Sequence, residues 1–76
     1  MAQLRVITSN PRGSANELAV ALVSATGLDR SAAEKLVRLL SNDALPQVVA
    51  SSLNEELLMQ ISIVLMDHGY DVTIDA

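Results

Sequence analysis

Three Ser-x-x-Glu pairs, Ser14/Glu17, Ser31/Glu34 and Ser52/Glu55, each stand just ahead of an apolar run. In such a capping box the serine hydroxyl accepts from a free amide of the first helical turn, and the glutamate reaches back to another. The spacing therefore predicts three helix starts. Gly27 and Gly69 supply stops for the first and third helices, because glycine reaches the left-handed conformation that commonly ends a helix. The predicted helices cover about 15–26, 31–40 and 54–68. Residues 24–40, "SATGLDRSAAEKLVRLL", resemble one interrupted amphipathic helix but read as two short ones with a corner at Gly27-Leu28.

Strand signals fill the remainder. "QLRVIT" (3–8) alternates, with Leu4, Val6 and Thr8 on one face. "SNPRG" then breaks it, since Pro11 lacks an amide donor and Gly13 supplies backbone freedom. "SNDALP" (41–46) is a turn cluster, and "QVVASSL" (47–53) is short and β-branched enough for a strand. "YDVTIDA" alternates cleanly, with Tyr70, Val72 and Ile74 inward and Asp71, Thr73 and Asp75 outward. The order is β-α-α-β-α-β. It predicts an α+β fold, a two-layer sandwich with a three-stranded sheet and three helices on one face. The connection between the last two strands is long enough to hold a crossover helix, so their relative direction stays open.

Residues 1–76 are expected to form a single domain, because two cores cannot be built from so little chain. A domain this small buries only about 60% of the surface its unfolded chain exposes. The absence of cysteine removes disulfides, thiolate metal sites and a thiol nucleophile together. The opening "MAQLRVITSNPRG" carries too short an apolar stretch for a secretory signal, and no apolar run approaches the roughly 20 residues of a membrane span. The expected location is cytoplasmic. A net charge of −4, scattered basic residues and Tyr70 as the lone aromatic argue against nucleic acid. Phosphate contacts need a basic stripe, and base stacking needs aromatic platforms.

The corner Ala25-Thr26-Gly27-Leu28 and the later Pro-Val-Leu-Gly spacing resemble the C-terminal domain of the bacterial ribosomal large-subunit stalk protein. The resemblance covers nearly the whole chain, 6–74, and implies the same β-α-α-β-α-β fold. It also implies that the basic residues with which stalk domains contact translation factors fall at Ala15, Val20, Val23 and Glu34. None of these is basic, and no counterpart of the stalk's dimerisation segment or hinge is expected within these residues. The Clp-protease adaptor family shares the fold and is similar at "VITSN" before the first helix. Its acidic pair, which grips a substrate's N-terminal amine, is replaced here by Pro11 and Arg12 after Asn10.

The last predicted helix carries two apolar stripes. Leu58, Ile61, Leu65 and His68 recur at spacings of three and four and make the core-facing one. Met59, Ile63 and Met66 repeat the spacing on roughly the opposite side, where stalk proteins usually carry charge. In the first helix Val20 and Val23 stand beside the core stripe Leu18, Leu22 and Ala25. A two-layer domain has nothing of its own to cover the outside of its helices. Each exposed Val, Ile or Met forgoes roughly 1.5–3 kcal/mol of burial. Val20, Val23, Met59, Ile63 and Met66 are therefore the candidate partner-binding residues, with Glu17, Arg38 and Asp67 as a polar rim.

No catalytic, cofactor or metal site is expected. The single histidine, His68, sits at a helix C-terminus and suits a packed or capping role. Asp67, His68 and Asp71 lack metal-ligand spacing. "NPRGS" has one glycine and no lysine, so it reads as a turn with a cap rather than a phosphate loop. The expected function is that of a small intracellular protein–protein interaction module or adaptor whose partner is another protein. A self-associating domain, a Clp-type adaptor and a true stalk factor-binding domain are the alternatives.

Overall fold

A computed structural model describes residues 1–41, 47–52 and 54–75. The elements are β1 (Ala2–Ser9), α1 (Ala15–Thr26), α2 (Arg30–Leu40), β2 (Gln47–Ser52), α3 (Glu55–Asp67) and β3 (Tyr70–Asp75). Of the turn predicted at 41–46, all but Ser41 lies outside the described residues, as does the strand end at Leu53.

Of the three capping boxes only the first has its serine at the cap, and there the serine half alone forms. Ser14 caps α1, its Oγ accepting from the Glu17 amide at 3.1 Å. α2 starts earlier than Ser31, at Arg30, with Asp29 in the cap position making no side-chain cap bond. Glu34 instead accepts from Arg30 Nε at 3.2 Å, an i,i+4 pairing along the helix. At α3 the cap is Asn54, whose Oδ1 accepts from the Leu57 amide at 3.2 Å. Ser52 ends β2, and its hydroxyl accepts from the Asn54 amide at 3.0 Å. Short polar side chains compete for the same free amides, and the one nearest the first turn takes them.

The corner between α1 and α2 forms as predicted. Gly27 adopts φ 75° and its amide closes on the Val23 carbonyl at 3.1 Å. Thr26 ties the corner from both sides: its hydroxyl donates to the Leu22 carbonyl at 2.6 Å and accepts from the Leu28 amide at 3.3 Å.

The sheet order is β2-β1-β3, and both outer strands run antiparallel to β1. β2 and β3 are thus parallel to each other but never adjacent, which resolves the direction the sequence leaves open. β1 carries the core as Ala2, Leu4 and Val6, all buried. Thr8 departs from its predicted face. The register between β1 and β3 slips between Val6 and Thr8, so Val6 pairs with Val72 but Thr8 pairs with Asp71. One extra residue in a strand reverses the alternation beyond it. Thr8 therefore joins the outer face and donates its hydroxyl to Asp71 Oδ2 at 2.7 Å. Arg5 and Asp75 form a 3.2 Å ion pair, exposed and so worth no more than about 1 kcal/mol.

α3 lies on all three strands, α2 lies against β2, and α1 packs on α2 and α3. One contiguous core results, joining Leu4 and Val6 to Leu18, Leu22, Leu36, Leu58, Ile61 and Leu65. In α2 the stripe Ala33, Leu36, Val37 and Leu40 faces inward at spacings of three and four. Among the described residues no helix is long and apolar enough to cross a membrane.

Candidate functional site

α3 owes its position to its buried arc of Leu58, Ile61, Ser62, Val64 and Leu65. Val64 and Ser62 widen the two-stripe reading of the sequence. Ser62 is admitted to the interior because its hydroxyl donates to the Met59 carbonyl at 2.7 Å. His68, placed in the same stripe, is half-buried and sits at the helix end rather than in the core. Its Nδ1 lies 2.9 Å from the Val64 carbonyl, which can only accept, so that nitrogen carries the proton.

Burying that arc turns the remaining apolar side chains outward. Met59, Ile63 and Met66 are 58%, 54% and 50% exposed, against 0–2% for Leu58, Ile61 and Leu65 on the same helix. Positions i, i+4 and i+7 lie on one face, so the three form a continuous row. Apart from Met1, 75% exposed ahead of β1, and Val20 on α1, the other large apolar side chains at the surface, Ile7, Val48 and Leu39, stand on separate elements and are less exposed than the row. The row is bounded by Glu55 and Glu56 in the first turn and by Asp67 at the last position, and α3 contains no lysine or arginine.

The α1 half of the expected surface divides. Val20 is 49% exposed, as an outer position requires. Val23 is half-buried and packs against the core, so it does not stand on the outer face. Ala25, expected in the core stripe, is exposed, while Ala19 is buried in its place. Ala19 lies beside Glu34, Val37 and Arg38 of α2, and Val23, one turn further on, shares a recess with Ala19 and Arg30, so both stand on the α1 flank that meets α2. Val20, Val23 and Ala19 line a small cleft of about 130 Å³ with Ser24 and Arg30, and no α3 residue contributes to it. The five predicted residues therefore occur as an α3 row and a separate α1–α2 cleft.

The "NPRGS" segment bends at Gly13 and caps α1 through Ser14, and it is anchored by residues far along the chain. The Asn10 amide donates to the Gly69 carbonyl and the Arg12 amide to the His68 carbonyl, both at 2.8 Å. This clamp brings the start of α1 beside the α3–β3 turn, a proximity with no local signal in the sequence. Burial pushes the Tyr70 phenol above its ordinary value.

Compared with known proteins, the chain matches no family, no curated protein and no solved structure.

Proposed function

We propose that this chain is a small protein-binding module, working inside the cell, that docks a partner on the outer row of α3. The observation that carries the reading is the half-exposed series Met59, Ile63 and Met66 on a helix whose other face is fully engaged by the core. Burying those three side chains would supply roughly 1.5–3 kcal/mol each before the costs of association. Methionine suits such a surface because its unbranched, polarisable side chain adapts to different neighbours. Glu55, Glu56 and Asp67 at the two ends favour a partner with an apolar helix face and a basic rim. Val20 offers a second apolar contact on α1, apart from the row, while Val23 is a weaker candidate because the core already holds part of it.

Self-association is the second reading, and the spacing of the row favours it. Ile63 lies near the middle of Met59 and Met66, so two copies related by a two-fold axis would set Met59 of one against Met66 of the other. Factor binding in the manner of the stalk domain has less support, because its basic positions fall at Ala15, Val20, Val23 and Glu34. Clp-type delivery has less support too, because Pro11 and Arg12 replace the acidic pair.

Affinity capture and light scattering, each on the wild type and on Ile63→Asp, test the proposal. A monomeric protein that captures a partner and loses it on Ile63→Asp or Val20→Lys supports the module. A dimer split by Ile63→Asp moves the same row to a self-interface. Capture and molar mass both unchanged by these substitutions would overturn the reading.

A further inference from the structure

The clamp between the β1–α1 loop and the α3–β3 turn borders a cleft of about 440 Å³ that the α3 row does not use. Arg12, Ser14 and His68 stand at its edge, and Leu18, Leu40 and Tyr70 are its buried lining. Tyr70 is only 8% exposed, and its hydroxyl has no hydrogen-bond partner among the described residues. The ring is buried but the hydroxyl keeps access to solvent at the cleft, so it is free to donate to a ligand there. Arg12 belongs to neither of the ion pairs among the described residues, which join Arg5 to Asp75 and Arg30 to Glu34. The N-terminus of α1 adds the positive end of its dipole at the same edge.

We infer that this cleft binds a carboxylate carried on an apolar body, of the kind the last residue of a peptide presents. One guanidinium offers a planar fork that matches the two oxygens of a carboxylate. The Tyr70 hydroxyl is a further donor, and Leu18 and Leu40 receive the apolar part. Glu17 repels any anion here, and a dianion such as phosphate more than a carboxylate: its own carboxylate lies against Gly13, within 2.9 Å of where a β-carbon there would stand. With Nδ1 of His68 committed to the Val64 carbonyl, its Nε2 is left to accept from an N–H of the ligand, as a peptide amide supplies.

The test is an amide-shift titration of the whole chain with N-acetyl-leucine, its carboxamide analogue, 4-methylpentanoate and inorganic phosphate. Saturable shifts centred on Arg12, Ser14 and Gly69 are expected for N-acetyl-leucine, with binding at least about tenfold weaker for the carboxamide. Arg12→Gln should weaken binding about tenfold and Tyr70→Phe about threefold, whereas Glu17→Gln should tighten it. The amide spectra of the free variants report whether each remains folded. Absent saturation, equal affinity for acid and carboxamide, tighter binding of phosphate, or indifference to Arg12→Gln in a folded protein would each overturn the assignment. N-acetyl-leucine binding more tightly than 4-methylpentanoate identifies a peptide terminus as the source; equal affinity identifies a free aliphatic acid. Either result upholds the carboxylate site.

Discussion

The Asn10 amide donates to the Gly69 carbonyl at 2.8 Å, while the Asn10 carbonyl oxygen occupies the space a side chain on Gly69 would need. Gly69 also holds φ 94°, a conformation that L side chains rarely adopt. Two independent penalties thus meet at one residue. Gly69→Ala is expected to cost about 3 kcal/mol or more, because the clamp must open to admit the methyl group. Gly27→Ala, with φ 75° but nothing within 4 Å of the new carbon, should cost only about 1–2 kcal/mol. Urea denaturation of the two variants measures the difference.

Tyr70 links stability to alkaline pH. The unfolded chain gives up the phenolic proton at the ordinary value, and the folded protein holds it to higher pH because burial disfavours the phenolate. As pH rises through that interval the unfolded state binds fewer protons, so stability falls. Below the interval both states keep the proton and Tyr70 adds no pH dependence. The chain has one tyrosine and no tryptophan, so tyrosinate absorbance follows this group alone. The folded midpoint should lie above that measured in denaturant, and Tyr70→Phe should remove this component of alkaline destabilisation.

Ile63 and Leu65 are two residues apart on α3 and should behave as opposites. Leu65 is fully buried, and Leu65→Ala should cost about 2–5 kcal/mol. Ile63→Asp removes a half-exposed side chain, so its cost should stay below about 1 kcal/mol. Thermal or urea unfolding of both variants checks this. A large loss for Ile63→Asp would mean that the row contributes to the fold rather than standing free for a partner.

The caps differ in a way that mutation reads directly. Ser14→Ala and Asn54→Ala each remove a side-chain oxygen bonded to a first-turn amide and should cost about 1 kcal/mol. Asp29→Ala removes no such bond, and Ser31→Ala alters a residue inside α2, so both should fall within about 0.5 kcal/mol. Denaturation midpoints for the four variants would rank them.

Periodicity and local signals were enough to place the elements. Ser14 with Glu17 marked the start of α1, Thr26-Gly27-Leu28 its end, and the run from Leu58 to Leu65 identified the buried side of α3. These features act within one or two turns of chain, and their physics is contained in the neighbouring residues. Met59, Ile63 and Met66 were legible for the same reason, since a helix that buries one stripe must turn the other outward.

Other features depended on contacts between distant residues. The slip that carries Thr8 to Asp71 arises where β1 meets β3, and nothing in "QLRVIT" signals it. Val23 is partly covered and Ala25 is not, with Ala19 and Val23 on the flank of α1 that meets α2, an orientation set by packing rather than by spacing. The cleft beside Arg12, His68 and Tyr70 lies where residues far apart in sequence meet, joined at its border by hydrogen bonds from Asn10 and Arg12 to Gly69 and His68. The sequence by itself determined which segments are helix or strand and which of their faces are apolar, because those follow from local hydrogen bonding and repeat. Only the tertiary structure decided how each helix is rotated and which loops meet, because those follow from the shape of the surfaces brought together.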